Sequence, residues 1–236
     1  MKKLITIVVF TLLSFGAYAQ NLIGAWENYY TSESGEKLKR VAIFSEGYNV
    51  VTTYNADTGE FIHSKGGSWK LEGRILIETI EFDTKNSESI GQEFSTTITI
   101  SKTVFNHIND EIQFNRIDNG EPGKLQGAWL MSGRVINGKS QLRDTSGPRK
   151  TMKIMSGTRF QWIAYNTETK KFMGTGGGTY TTKNGKYTEN IEFFSRDNSR
   201  VGASLEFDYN LDNGDWHHSG FSSKGDPLHE VWRLRE

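Results

Sequence analysis

Apolar and polar residues alternate along most of the chain beyond residue 24, and turn-forming residues break the alternation at short, regular intervals. A two-residue period of this kind marks strands with one buried face, and its recurrence roughly every 8–12 residues is the signature of an all-β fold. The C-terminal half is the clearer one. Its pattern predicts strands over 127–133, 149–156, 158–166, 171–181, 186–195, 201–211, 214–220 and 228–235. Asn184-Gly185 and Asn213-Gly214 fall between such runs and signal tight hairpins, because both residues tolerate positive φ. The N-terminal half supports eight matching strands, from about 24–30 to 110–117, and neither half carries an amphipathic helical stretch of ten residues.

The two halves are copies of one another. Across Tyr54–Gly91 and Tyr165–Gly202, at a constant shift of 111, eleven of 38 positions are identical, among them Gly66-Gly67/Gly177-Gly178, Glu78/Glu189 and Ile80-Glu81-Phe82/Ile191-Glu192-Phe193. Upstream the shift is 103, so an insertion near 136–143 distinguishes the second copy. A repeat of this length is a tandem domain rather than a solenoid unit. The polar, Gly- and Pro-containing stretch 118–124 separates the copies, giving units at 20–117 and 125–236 that are expected to touch. Eight short antiparallel strands in hairpin order suit a closed up-and-down barrel, which removes exposed edges; a flattened two-sheet sandwich is the alternative.

Gly24-Ala25-Trp26 and Gly127-Ala128-Trp129 open the first strand of each copy. This Gly-x-Trp start resembles the opening of lipocalins and related calycins, and the chain is most similar to helix-free lipocalin-like domains of exported bacterial proteins. The resemblance implies an all-β fold of two tandem antiparallel eight-stranded barrels. It also implies that Trp26 and Trp129 close one barrel end beneath a late-strand arginine, with Arg116 and either Arg233 or Arg235 as candidates. The chain departs from the lipocalin pattern in lacking the large C-terminal helix and the disulfide.

Composition adds an address. Lys2-Lys3, the apolar run Leu4–Phe15 and Ala17-Tyr18-Ala19 form the three regions of a signal peptide, with cleavage expected after Ala19 and a soluble periplasmic or extracellular product. The apolar run is too short for a membrane span. No cysteine occurs, so neither disulfides nor a lipid-anchoring cysteine are available. Lys plus Arg and Asp plus Glu both number 28, with no basic run, which argues against a nucleic-acid partner.

Candidate chemistry comes from face assignments. In the fifth strand of the second copy, Tyr187, Glu189, Ile191 and Phe193 share a parity, so an inward apolar face carries Glu189 inside. Trp216 and His218 likewise share a face, and Glu189 with His218 could form a buried pair in which the carboxylate raises the histidine pKa. A satisfied structural glutamate and histidine is the alternative reading. The aromatic set Trp162, Tyr165, Tyr180, Tyr209, Trp216 and Trp232 is richer than its first-copy counterpart Val51, Tyr54, Trp69, Ile98, Phe105 and Gln113. Ligand-binding candidates are therefore Glu189, His218, Trp162, Tyr165, Tyr180, Tyr209, Trp216 and Arg233. Gly174–Gly178 resembles a phosphate loop, but a strand rather than a helix follows it, so a bulge or close packing is expected. The five histidines show no metal-ligand spacing and no Gly-x-Ser-x-Gly occurs, so no metal, cofactor or nucleophilic triad is expected. Three functions stay open: a binding module for a small, partly apolar molecule, a scaffold with filled barrels, and an enzyme using Glu189 and His218 as an acid–base pair.

Overall fold

A computed structural model describes residues 22–109, 111–121, 123–222 and 225–235; the signal-peptide segment lies outside the described residues. The first barrel closes from eight antiparallel strands: β1 (Gly24–Thr31), β2 (Lys37–Ser45), β3 (Tyr48–Asn55), β4 (Phe61–Glu72), β5 (Ile75–Asp83), β6 (Glu93–Ile100), β7 (Val104–His107) and β8 (Ile112–Asp118). Each strand pairs with the next, and β8 returns to β1. The second barrel repeats this with β9 (Gly127–Ile136), β11 (Arg149–Met155), β12 (Arg159–Asn166), β13 (Lys171–Lys183), β14 (Lys186–Phe194), β15 (Ser204–Asp212), β16 (Asp215–Phe221) and β17 (Pro227–Leu234), closed by β17 on β9. The short strand β10 (Lys139–Leu142) adds to β9 outside that cycle. The insertion in the second copy is thus a hairpin extension, turned by Asn137-Gly138 at φ 52° and 72°. Asn184-Gly185 and Asn213-Gly214 adopt the same pair of positive φ values, the geometry that lets two residues reverse a twisted ribbon.

The repeated glycine pairs sit at β-bulges. The register shifts between Gly66 and Gly67 against β5, and between Gly177 and Gly178 against β14. A Cβ on Gly67 or Gly178 would lie 2.0 Å from the carbonyl oxygen of Thr79 or Asn190, so no larger residue fits without moving backbone. The bulge also alters the alternation that the sequence implies. Glu189 and Ile191 point into the barrel with Tyr187, but Phe193 joins Glu192 on the outer face and Phe194 turns inward. Phe193 therefore does not share the face of Glu189, because a bulge places two successive residues on one side.

That outer face is covered by the other barrel. Val41, Ile43, Val50, Tyr54 and Phe82 of the first barrel pack with Leu130, Met152, Ile154, Ile163, Tyr165 and Phe193 of the second in one apolar cluster. The contacts exchange equivalent residues, as in a pseudo-twofold interface. Tyr54 donates to Glu192 Oε2 at 2.6 Å and Tyr165 donates to Glu81 Oε2 at 2.5 Å. Tyr54 stacks on Phe193 and Tyr165 packs on Phe82, with centroids 5.0 and 5.1 Å apart, while Phe61 stacks on its own counterpart Phe172. The arginines break the symmetry. Arg159 pairs with Glu192, whereas Arg235, from a non-equivalent position, binds Glu81 at 2.6 Å and lies over the Tyr48 ring. A polar knot crosses the same face: Thr52 donates to Gln161 Oε1, and Gln161 Nε2 donates to Ser64 and Thr175.

The connector is tied down as well. Asp118, at the end of β8, accepts from Ser156 Oγ, Gly157 N, Thr158 N and Thr158 Oγ1 in the β11–β12 turn, and from Gly120 N. A buried carboxylate with this many donors fixes the two barrels in one orientation.

Trp26 and Trp129 are both buried, and each donates its Nε1–H at 2.9 Å to the carbonyl four residues upstream, Leu22 or Leu125. Arg116 lies over Trp26 with its guanidinium carbon 3.8 Å from the ring centroid. The second barrel departs from this arrangement. Leu234 holds the register position of Arg116, Arg233 is held by Asp215 at the exposed strand end, and Arg235 is drawn to the interface by Glu81. The late-strand arginine expected over Trp129 is replaced there by an aliphatic side chain.

Candidate functional site

A cavity of about 290 Å³ opens in the second barrel. Its apolar wall includes Trp162, Ile191, Phe194, Leu205, Phe207 and Trp232, and Lys153, Glu189, His218 and Glu230 converge on it. A larger cleft of about 560 Å³ lies between the barrels, but its charged lining is limited to Glu46 and Arg235, and Arg235 is committed to Glu81. Convergent polar groups on an apolar wall single out the barrel cavity as the candidate site.

Each polar group is positioned by a strand. Lys153, on β11, is only 4% exposed and donates to Glu189 Oε1 on β14 at 2.7 Å. Its Nζ sits 5.0, 5.0 and 5.3 Å from the ring centroids of Tyr187, Trp216 and Trp232, an aromatic surround that favours a cation. Tyr187 Oη also donates to Glu189 Oε1, at 2.9 Å. On β16, His218 is 3% exposed and its Nδ1 lies 3.4 Å from Glu230 Oε2 on β17. A carboxylate only accepts, so Nδ1 carries the proton and Nε2 presents its lone pair. That Nε2 and the Nε1–H groups of Trp216 and Trp232 are buried without a hydrogen-bond partner.

The expected Glu189–His218 pair does not form; each group has a different partner. Glu189 is paired by Lys153 and His218 by Glu230. Nor is the histidine pKa raised. Burial, reinforced by the Lys153 charge, holds His218 below the ordinary histidine range, although Glu230 and Glu189 pull the other way. Burial would raise Glu230, yet the hydrogen bond from His218 and the charge of Lys153 keep its carboxyl below the usual glutamate value.

Of the residues singled out by sequence, Glu189, His218 and Trp162 line the cavity. Trp216 lies fully buried behind it, packed edge-on against Trp129 and flanking Lys153. Tyr180 belongs to the core, donating to Ser156 O at 2.6 Å, and Tyr209 pairs with His218 in register and packs against the same core. Tyr165 faces the first barrel, and Arg233 is an exposed partner of Asp215. Tyr165 departs from the expected pocket face because β12 is buried on both sides, so its apolar pattern does not distinguish lumen from interface.

Sequence reasoning left the charged Lys153 and Glu230 and the aromatic wall residues Phe194 and Phe207 out of the candidate site, and it counted Trp232 among the aromatics without carrying it into the candidate set. A signal existed for Lys153: a lone cation within Met152-Lys153-Ile154-Met155, a run with no solvated face. The first barrel lacks this cluster. By strand register, Ala42 stands for Lys153, Ile112 for Glu230 and Phe114, not Gln113, for Trp232. Glu78 there takes its hydrogen bond from Asn49 Nδ2 at 2.5 Å.

The histidine shifts have a stability consequence. His218, His63 and His229 are all held below the ordinary value, chiefly by burial. Below pH about 6.5 the unfolded chain takes up protons that the folded chain refuses, so stability is full above that pH and falls as pH drops through the depressed folded values. Glu192, paired with Arg159, and Glu230, hydrogen-bonded by His218, are held below the ordinary glutamate range and add a second loss at lower pH. Urea unfolding between pH 7.5 and 5 should show this decline, and His218→Phe should flatten it. An unchanged slope in the variant would show that His218 is not kept neutral by the fold.

Residues 124–235 match the family model described as "Domain of unknown function (DUF4488)". The matched segment covers the second barrel and its cavity. No curated protein matches the chain. No helix among the described residues is long and apolar enough to cross a membrane.

Proposed function

We propose that the protein is an exported, calycin-like binding protein whose second barrel holds a small, partly apolar molecule. The observation that carries this reading is the cavity of about 290 Å³ in which an apolar wall meets two buried, unpartnered nitrogen sites, His218 Nε2 and Trp232 Nε1. Buried polar atoms normally find partners, and two without any, on residues that line the cavity, are what a bound ligand would satisfy. The volume sits at the lower end of small-molecule pockets, which run from roughly 300 to 1,000 Å³. Gly-x-Trp at the start of both closed barrels supports the calycin assignment, and the basic, apolar and small-residue order of residues 1–19 supports export with cleavage after Ala19.

The first barrel serves as the scaffold in this reading. Ala42, Val51 and Ile112 occupy the places of Lys153, Trp162 and Glu230, and its outer face buries that of the second barrel. Titration with the apolar fluorophore N-phenyl-1-naphthylamine tests the site. Wild-type protein should bind one equivalent, and Ala203→Trp, which plugs the cavity wall, should abolish binding while leaving the fold intact by circular dichroism. Equal binding by both proteins would remove the cavity as the site.

A further inference from the structure

The charges around the cavity constrain what it can hold. Each of its charged wall residues has a counter-charge on the protein. Lys153 is 2.7 Å from Glu189; Glu230 is 3.4 Å from His218 and 3.9 Å from Arg134; Arg200 is 3.3 Å from Asp197. A carboxylate or ammonium ligand entering this space would leave water without meeting an uncommitted opposite charge, and burying an ion on those terms is costly. The open valences are neutral ones of opposite kind. His218 Nε2 accepts, because Nδ1–H is turned to Glu230, and Trp232 Nε1–H donates. His218 pairs in register with Glu230, and Trp216 with Trp232, so the two residues are diagonal neighbours on β16 and β17, about 7–8 Å apart at the backbone. A hydroxyl is the small group that donates and accepts at once without charge. The aromatic share of the wall, Trp162, Phe194, Phe207 and Trp232, suits a flat ring as the body that carries it.

Resting on the binding function above, we propose that the cavity selects an uncharged, hydroxyl-bearing apolar molecule of the phenol or aromatic-alcohol class, its hydroxyl donating to His218 Nε2 and accepting from Trp232 Nε1.

Three probes that share one frame test this on the full-length mature protein by equilibrium dialysis at pH 7.5: naphthalene, 2-naphthol and 2-naphthoate. The expected order is 2-naphthol first, about tenfold tighter than naphthalene, the increment of one well-made hydrogen bond, with 2-naphthoate weakest. His218→Phe and Trp232→Phe should each bring the ratio of 2-naphthol to naphthalene affinity from about ten down to about one, whatever either change does to the affinity for naphthalene itself. Near-UV circular dichroism establishes that each variant is folded, and either one suffices. If naphthalene binds but 2-naphthol gains nothing, or 2-naphthoate binds best, the proposed ligand class is wrong while the cavity remains a binding site. If none of the three probes binds, both the ligand class and the binding function fail.

Discussion

Replacing Lys153 with methionine should destabilise the second barrel by about 3–5 kcal/mol, the cost of leaving a buried charge without its partner. Lys153 is 4% exposed and Glu189 5%, and their 2.7 Å contact is the only salt bridge of the carboxylate among the described residues. Methionine fills much the same volume, so the loss is electrostatic rather than steric; Glu189 keeps the Tyr187 hydroxyl and nothing cationic. The double variant Lys153→Met/Glu189→Gln removes both charges and should recover most of the loss, because replacing an entire buried pair with neutral groups is far cheaper than breaking it. The first barrel keeps the carboxylate without the lysine: Ala42 stands where Lys153 does, and the buried Glu78 takes a hydrogen bond from the Asn49 carboxamide in place of a cation. Urea unfolding followed by tryptophan fluorescence measures both variants. A single variant within 1 kcal/mol of wild type, or a double variant no better than the single, would show that the pair carries little of the barrel's stability.

Trp26→Ala should cost about 3–5 kcal/mol, the range for a large aromatic deleted from a core, and Trp129→Ala a similar amount. Both rings are buried and both indoles are satisfied by an upstream carbonyl. They differ in what lies above them. Arg116 stacks on Trp26 at 3.8 Å, whereas Leu234 takes that register position over Trp129. A double-mutant cycle of Trp26→Ala with Arg116→Met should therefore return a coupling of about 0.5–1 kcal/mol or more. The cycle of Trp129→Ala with Arg235→Met should return a coupling near zero, since Arg235 serves Glu81 and Tyr48 across the interface. Equal couplings in the two cycles would mean that the second barrel has an arginine closure after all.

The pseudo-twofold interface explains a property that neither barrel would need alone. The repeated Tyr54/Tyr165, Glu81/Glu192 and Phe82/Phe193 look like core positions in a single copy, yet they meet one another across the two copies. Each barrel presents the same patch, and burying one against the other satisfies two tyrosine hydroxyls and two carboxylates at once. An isologous pattern of this kind is what two copies of one self-complementary face produce.

What the amino-acid sequence determined by itself is the part governed by local physics. The two-residue period, the Asn-Gly turns and the duplicated register specify an antiparallel all-β chain in two copies, because alternation and positive-φ turns act over a few residues. The same local rule carried Glu189 and His218 inside correctly, as their strands are solvated or paired in the ordinary way on the other face. It misassigned Phe193, because one bulged residue opposite Gly177-Gly178 changes the parity of everything beyond it. It could not separate Tyr165 from Trp162 by function, since β12 is buried on both faces, one by the barrel lumen and one by its twin. Partner choice was likewise a tertiary matter. Lys153 on β11 reaches Glu189 on β14 across the lumen, and Glu230 reaches His218 from the next strand, so closure of the barrel decided which charges neutralise each other. Strand pairing obeys near-neighbour chemistry, whereas a cavity is made by residues that only the closed shape brings together.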